Sequence, residues 1–316
     1  MSQILRNVHI IGTGGYVPKE VLSNEMLAQR VPTTSKWIEE NLGIKERHIA
    51  DAGELTSDLA TKAALKAVTN AGITVRDIDL IIVATATPDK LAPSTACIVR
   101  EKIKALNAAA FDLGAVCTGF IYGLTTAAQF IASGMYNNVL VIGADTFSYI
   151  TDWSRRDCVF FGDGAGAVIL SGATQGGFFS SNLYASGVKM EGFSIAHGDT
   201  FQMNGSLVYE TATTVLPQAI KTALSDVCMR VEDIDCVVPH QPGIRVLQSM
   251  AEQTGIPFSK IKTNMDRYAN TAGATIPLLL DELNKKGELH QGDMLLLAAV
   301  GAGWTYGTIL LRWDKK

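Results

Sequence analysis

A fixed offset of 156 residues relates the two halves of this 316-residue chain. Ala63, Ala67, Val75, Asp77, Ile78 and Asp79 match Ala219, Ala223, Val231, Asp233, Ile234 and Asp235, every pair at that spacing. The apolar run at Val139 falls on the run at Leu295 with the same offset. Helix-like and strand-like periods thus repeat in register, which predicts two similar α/β halves, each a sheet flanked by helices. Two unrelated helix–strand units are the alternative, because such units are common in this class. The chain is long enough to bury a large core, as one big domain or as two halves.

The apolar spacing predicts the elements. Val8–Ile11 reads as a strand ending in Gly12-Thr-Gly-Gly15, Ser35–Asn41 as a helix, and Asp58–Ala71 as an amphipathic helix stopped by Gly72. Leu80–Ala86 is a continuous apolar run, the kind buried on both faces of a sheet. Pro93–Ile103 reads as a helix, Ala108–Leu113 as a strand, Phe120–Met135 as a helix and Val139–Ile142 as a strand. Ala165–Leu170 and Gly177–Tyr184 follow as strands, then Leu216–Val227 as a helix, Cys236–Val238 as a strand and Ile244–Thr254 as a helix. Ala274–Leu283 is helical, and Met294–Ala299 and Thr308–Leu311 are strands.

Cys117 sits between the expected strand Ala108–Leu113 and the following helix, in a turn bracketed by Gly114 and Gly119. The positive end of a helix favours an anion, and the thiolate is the nucleophilic form of cysteine. A free thiol, with a pKa of about 8.5, would be only roughly 3% ionised at pH 7. The competing reading is a small buried hydrophobe, which most lone cysteines are. Under the repeat, the Cys117 turn corresponds to Asn270-Thr-Ala-Gly273, and Leu80–Ala84 to Cys236–His240. Equivalent loops at the ends of central strands should face one another, where α/β sheets hold ligands, so Cys117, His240 and Asn270 should be neighbours. His240 could otherwise be a satisfied structural group, and Asn270 a helix cap. Gly301-Ala-Gly303 is either a tight turn or a source of backbone donors for an oxyanion. Gly162-Asp-Gly-Ala-Gly166 and Gly301-Ala-Gly303 are followed by strand-like runs and not by a helix, which argues against a dinucleotide site.

With 27 basic and 31 acidic residues the net charge is −4, so no global field attracts nucleic acid or an anionic membrane. The five cysteines are odd in number and form no CxxC pair, which argues against a disulfide framework or a zinc site and fits a reducing cytoplasm. No signal-peptide pattern opens the chain, and the most apolar window, Met294–Leu311, is broken by Gly301, Gly303 and Gly307. A soluble, cytoplasmic protein is expected.

The Cys117 turn, Phe161-Gly-Asp-Gly-Ala-Gly166, Val238-Pro-His-Gln241, Asn270-Thr-Ala-Gly273 and Gly301-Ala-Gly-Trp-Thr-Tyr-Gly307 together resemble β-ketoacyl-acyl-carrier-protein synthase III, of the thiolase-fold superfamily. The resemblance implies a five-layered αβαβα fold of two similar halves, 1–172 carrying the cysteine and 173–316 carrying the histidine and asparagine. It implies a homodimer, no metal and no bound redox cofactor. Cys117 would accept an acyl group from acyl-CoA. His240 and Asn270 would stabilise the enolate formed when a malonyl thioester, borne by an acyl carrier protein, loses carbon dioxide. The backbone N–H groups of Cys117 and Ala302 would hold the thioester oxygen. Neutral donors suit an enolate because its charge appears only as the reaction proceeds. Trp37 matches a tryptophan that stacks on the CoA adenine, and Arg155 and Arg245 match basic contacts; each could equally be a plain surface side chain.

This sequence departs from the family pattern at several positions. Asn41 replaces a frequent arginine, Ser206 and Gly243 replace asparagines near the pantetheine tunnel, and Glu210, Glu252 and Gln253 stand where basic residues often meet the carrier protein. Ala92 stands where a bulky aromatic from the partner subunit often limits the acyl pocket. The weakened carrier-protein patch leaves open acyl transfer to a hydroxyl or amine in secondary metabolism, while the intact Cys117, His240 and Asn270 set argues against the third reading, an inactive scaffolding subunit.

Overall fold

Two five-stranded sheets stand at the centre of the computed structural model, which describes residues 3–6, 8–172 and 176–315. The half boundary expected after residue 172 falls at 173–175, outside the described residues. The first sheet runs Val8–Tyr16, Gly164–Gly172, Asn138–Asp145, Leu80–Ala84, Ala109–Leu113. The second runs Gln3–Arg6, Phe178–Ala185, Thr305–Arg312, Met294–Gly301, Cys236–Pro239.

The duplication extends to the hydrogen-bond register. Leu80 pairs with Val139 in one parallel ladder and Cys236 with Leu295 in the other, the two partners of each match again 156 residues apart. The strand Asn138–Asp145 and the helix start Gly119 recur at the same spacing as Met294–Gly301 and Thr275.

All five residues of Leu80–Ala84 are buried, because both faces of the sheet are covered. Ile81 and Val83 meet the helices Thr56–Ala71 and Thr95–Ile103 on the outer face, while Leu80 and Ile82 meet the helices Gly119–Ala132 and Thr275–Lys286 between the sheets. The helices Gly205–Asp226 and Ile244–Thr254 cover the outer face of the second sheet. The order helix, sheet, helix, sheet, helix is the expected five-layered arrangement.

Small residues set the spacing of these layers. Gly143, near the end of a central strand, has the turn Ala272–Ala274 packed directly on its backbone, and a Cβ there would overlap the Gly273 carbonyl. That close approach brings a second-half loop onto the first sheet.

Four features differ from the sequence expectation. The helix expected at Leu216–Val227 begins at Gly205, where Asn204 caps it by accepting the Leu207 N–H at 3.3 Å. Its first turns are largely exposed and carry little apolar period. The strand Gln3–Arg6 leaves its own half and pairs with Phe178–Ala185 in the second sheet. The hairpin of Glu20–Ser23 with Glu46–Ile49, and the short helices Asn24–Ala28 and Met265–Tyr268, are too brief for a periodic signal.

Candidate active site

Cys117 lies in a single 3-10 turn, Val116–Thr118, that runs directly into the helix Gly119–Ala132. The turn is sharp, with Val116 at φ +45° in the left-handed region. It is fastened from the other half, where the Thr118 hydroxyl donates to the Thr305 carbonyl at 3.0 Å. Gly301 sits so close behind the turn that a Cβ would fall 2.8 Å from Thr118 Oγ1.

His240 follows the last residue of the strand Cys236–Pro239, and its N–H donates to the Ala298 carbonyl at 2.8 Å. Its Nδ1 lies 2.8 Å from Thr275 Oγ1, and the Thr275 hydroxyl lies 3.0 Å from the Ala272 carbonyl. A hydroxyl has one proton. Donated to Ala272, it makes Oγ1 the acceptor of His240 Nδ1–H and leaves the Nε2 lone pair free. Asn270 is tied by its backbone, accepting from Gly162 N and donating to the Phe160 carbonyl, both at 3.1 Å. Its Oδ1 accepts the Ala272 N–H at 2.8 Å, so the side chain does cap a turn, as the simpler reading had it. Its Nδ2 has no hydrogen-bond partner among the described residues.

Cys117, His240, Asn270, Gly301 and Ala302 line one end of a cavity of about 620 Å³. Cys117, His240 and Asn270 are 9%, 2% and 5% exposed, so this end is the closed one. Phe160, Phe161, Phe193 and Met203 form an apolar wall. Trp37 and the exposed Arg156, Tyr209 and Arg245 lie at the open end.

Family and fold comparisons place the chain among known proteins. A family model described as 3-oxoacyl-(acyl-carrier-protein) synthase III matches residues 111–187, and that of its C-terminal part matches 224–313. The β-ketoacyl-(acyl-carrier-protein) synthase III of Clostridium acetobutylicum is 44% identical over 98% of this chain and 100% of its own. The crystal structure of the Aquifex aeolicus 3-oxoacyl-(acyl-carrier-protein) synthase III superposes with a TM-score of 0.95 at 40% identity, covering 97% of this chain and 100% of that one. A priming β-ketosynthase of a polyketide pathway superposes at 0.93 with 28% identity, covering 98% of each chain.

The chain belongs to the synthase III family. It is a condensing acyltransferase with the thiolase-like fold.

In this synthase III the thiol does not behave as its helix-end position suggested. Burial pushes the Cys117 pKa well up, the Asp145 carboxylate adds to that, and only its own backbone N–H pulls the other way. Desolvation outweighs the helix end, so Cys117 rests as the thiol. Burial lowers the His240 pKa to about 3, against a smaller opposing pull from the Ala272 carbonyl. The ring is therefore neutral at pH 7, with its Nε2 lone pair free.

The structure brings Trp37 and Arg245 to the cavity but not Arg155, whose guanidinium is held by Asp157, by Gln202 Oε1 at 2.5 Å and by the Phe201 carbonyl at 3.2 Å. Arg156 lines the cavity instead, its guanidinium 4.2 Å above the Trp37 ring centre. Adjacent arginines at the start of the 3-10 turn Arg156–Val159 point different ways, and nothing in their sequence says which. Asn41 turns back to the Trp37 carbonyl at 2.7 Å, and Glu210 pairs with Lys189 at 2.5 Å. Ala92 is exposed and is not among the lining residues. Thr275 and Asp145 escaped sequence reading; the signal for Asp145 was a carboxylate closing an otherwise apolar strand, Val-Leu-Val-Ile-Gly-Ala-Asp145. Among the described residues no His, Cys, Asp and Glu cluster could hold a metal, and no helix is long and apolar enough to cross a membrane.

Proposed function

We propose that Cys117 takes an acyl group from acyl-CoA and passes it to a malonyl thioester on an acyl carrier protein, in a decarboxylative condensation. His240 Nε2 accepts the thiol proton as Sγ attacks the thioester carbonyl, and returns it to the departing CoA thiolate. The N–H groups of Cys117 and Ala302 hold the oxyanion. In the second step the malonyl group loses carbon dioxide, and its enolate oxygen takes a hydrogen bond from Asn270 Nδ2. The Thr275 hydroxyl can serve this step too. Once the CoA thiol has left, the ring loses its Nδ1 proton to solvent and takes one from solvent on Nε2; the Thr275 hydroxyl then swings from Ala272 to donate to Nδ1, and Nε2–H donates to the same oxygen. The carbanion attacks the acyl thioester, and Cys117 leaves as a thiolate that regains a proton from solvent.

The observation that carries this reading is the lining of one cavity's closed end by Cys117 from one half and His240 and Asn270 from the other. At the open end, the Arg156 guanidinium stacked on Trp37 offers its outer face to an adenine ring, and Arg245 offers a cation for phosphate. The protein acts as a cytoplasmic homodimer of chains divided at about residue 172. Ala92 of one protomer would leave the partner's acyl pocket wide, so acyl chains longer than acetyl are accepted.

Intact mass after incubation with an acyl-CoA panel tests the loading. One acyl group is expected on the native chain and none on C117A, and acylation of C117A would overturn the assignment. Release of carbon dioxide from malonyl thioester by the loaded enzyme is expected. Transfer to a hydroxyl or amine without that release would instead support the secondary-metabolic reading, and no turnover the scaffold.

A further inference from the structure

The second-half turn bearing the donors is fastened to the first half by one buried carboxylate. Asp145 ends the strand Asn138–Asp145 and is fully buried. Its Oδ1 accepts from the Ala86 N–H at 2.7 Å and the Thr85 and Thr87 hydroxyls at 3.1 and 3.2 Å. Its Oδ2 accepts the Gly273 N–H at 3.0 Å. No lysine or arginine pairs with it among the described residues, and burial raises its pKa to about 7 against the pull of these four donors, so it carries its charge in the alkaline range where thiols are alkylated. Gly273 belongs to the turn Ala272–Ala274, and this turn sets both donors. Ala272 N–H fixes Asn270 Oδ1, while the Ala272 carbonyl fixes the Thr275 hydroxyl that orients His240. The same turn touches the nucleophile's loop, because a Cβ on Gly273 would lie 3.4 Å from the Val116 carbonyl and 3.2 Å from Asp145 Oδ2.

We propose that Asp145 is a positioning residue that locks the Asn270–Thr275 turn onto the Cys117 loop, so that nucleophile and donors from different halves stay in register. The proposal rests on the condensing reading of the same site. The charge of Asp145 also reaches Cys117, where it opposes thiolate formation. The other titratable group beside the thiol is the neutral His240, and the cations Arg156 and Arg245 lie at the exposed end of the cavity.

D145N keeps the shape but turns an N–H₂ toward the Gly273 N–H or toward the Oδ1 donors. Three measurements on the full chain test it: iodoacetamide alkylation of Cys117 against pH, acylation by acetyl-CoA, and carbon dioxide release from malonyl-CoA. Alkylation should shift to lower pH by about one unit, because a neighbouring negative charge is gone. Carbon dioxide release should fall roughly tenfold to a hundredfold through misplaced donors, and fall more than acylation does. Unchanged carbon dioxide release, or an unmoved alkylation profile, overturns the proposal. If the native enzyme releases no carbon dioxide, the condensing reading fails, and the alkylation profile alone decides whether Asp145 acts on the Cys117 thiol. If D145N does not fold, T85V removes a single donor and should slow carbon dioxide release about threefold to tenfold. No change in T85V would refute the lock.

Discussion

Thr275→Val isolates the hydroxyl that stands between His240 Nδ1 at 2.8 Å and the Ala272 carbonyl at 3.0 Å. Valine fills the same space, so packing is nearly preserved, and the change removes one partner from each of two buried groups. A net hydrogen bond is worth about 1 kcal/mol, and a stranded buried donor costs about 1–3 kcal/mol. The imidazole relieves part of that penalty by rotating, which takes Nε2 away from the thiol. If about 2 kcal/mol of orientation is lost from the acylation step, the rate falls roughly thirtyfold. Single-turnover acylation by acetyl-CoA, followed by intact mass, measures it. Thr275→Ser restores the hydroxyl and should return the rate to within about threefold of native, less than 1 kcal/mol of barrier. A T275V rate within twofold of native, or a T275S rate as slow as that of T275V, would refute the role assigned to this hydroxyl.

Other outcomes follow from the same geometry. Arg156→Ala should raise KM for acyl-CoA by up to about tenfold with kcat nearly unchanged, as loss of a cation–π stack predicts. Arg155→Ala, which breaks a partly exposed ion pair, should leave KM alone and change stability by about 1 kcal/mol or less. His240 is held near pKa 3 against an ordinary 6.5, so the unfolded chain takes up this proton first as pH falls. Its stability contribution is complete above pH 6.5 and is lost toward pH 3, so native minus H240N stability should drop by about 2 kcal/mol between pH 6.5 and 5 in urea titrations. A pH-independent difference would show the histidine to be charged or exposed. Gly301→Ala should slow acylation more than Gly273→Ala, since its Cβ would sit 2.8 Å from Thr118 Oγ1 while that of Gly273 would sit 3.2 Å from its nearest atom.

The architecture was legible because duplication writes itself twice. Ala63, Asp77 and Val139 have counterparts at one offset, and a register that holds through helix, turn and strand leaves few topologies open. That Cys117, His240 and Asn270 line one cavity was legible for the same reason, since equivalent loops meet at the strand ends. What was illegible depends on direction or on desolvation. Arg155 and Arg156 are adjacent and chemically identical, and only the turn that carries them decides which one stacks on Trp37. The thiol's ionisation departs from the expectation because a helix end is visible in sequence, whereas burial beside Asp145 is not. The strand Gln3–Arg6 crosses to the second sheet by tertiary pairing, which no local pattern encodes.

The duplication also explains why the halves do not do the same thing. The offset maps Cys117 onto Gly273 and Asp145 onto Gly301, and the structure packs these positions crosswise. The Cys117 turn backs onto Gly301 of the second half, and the Gly273 turn backs onto Asp145 of the first. At each crossing one half supplies a functional side chain and the other supplies glycine. The two turns approach so closely that a Cβ on either glycine would crowd the opposite turn, so side chains at all four positions would force the halves apart. A symmetric site with two cysteines and two carboxylates is therefore disfavoured by this packing, more strongly at Gly301 than at Gly273. The packing that brings nucleophile and donors together requires that they come from different halves.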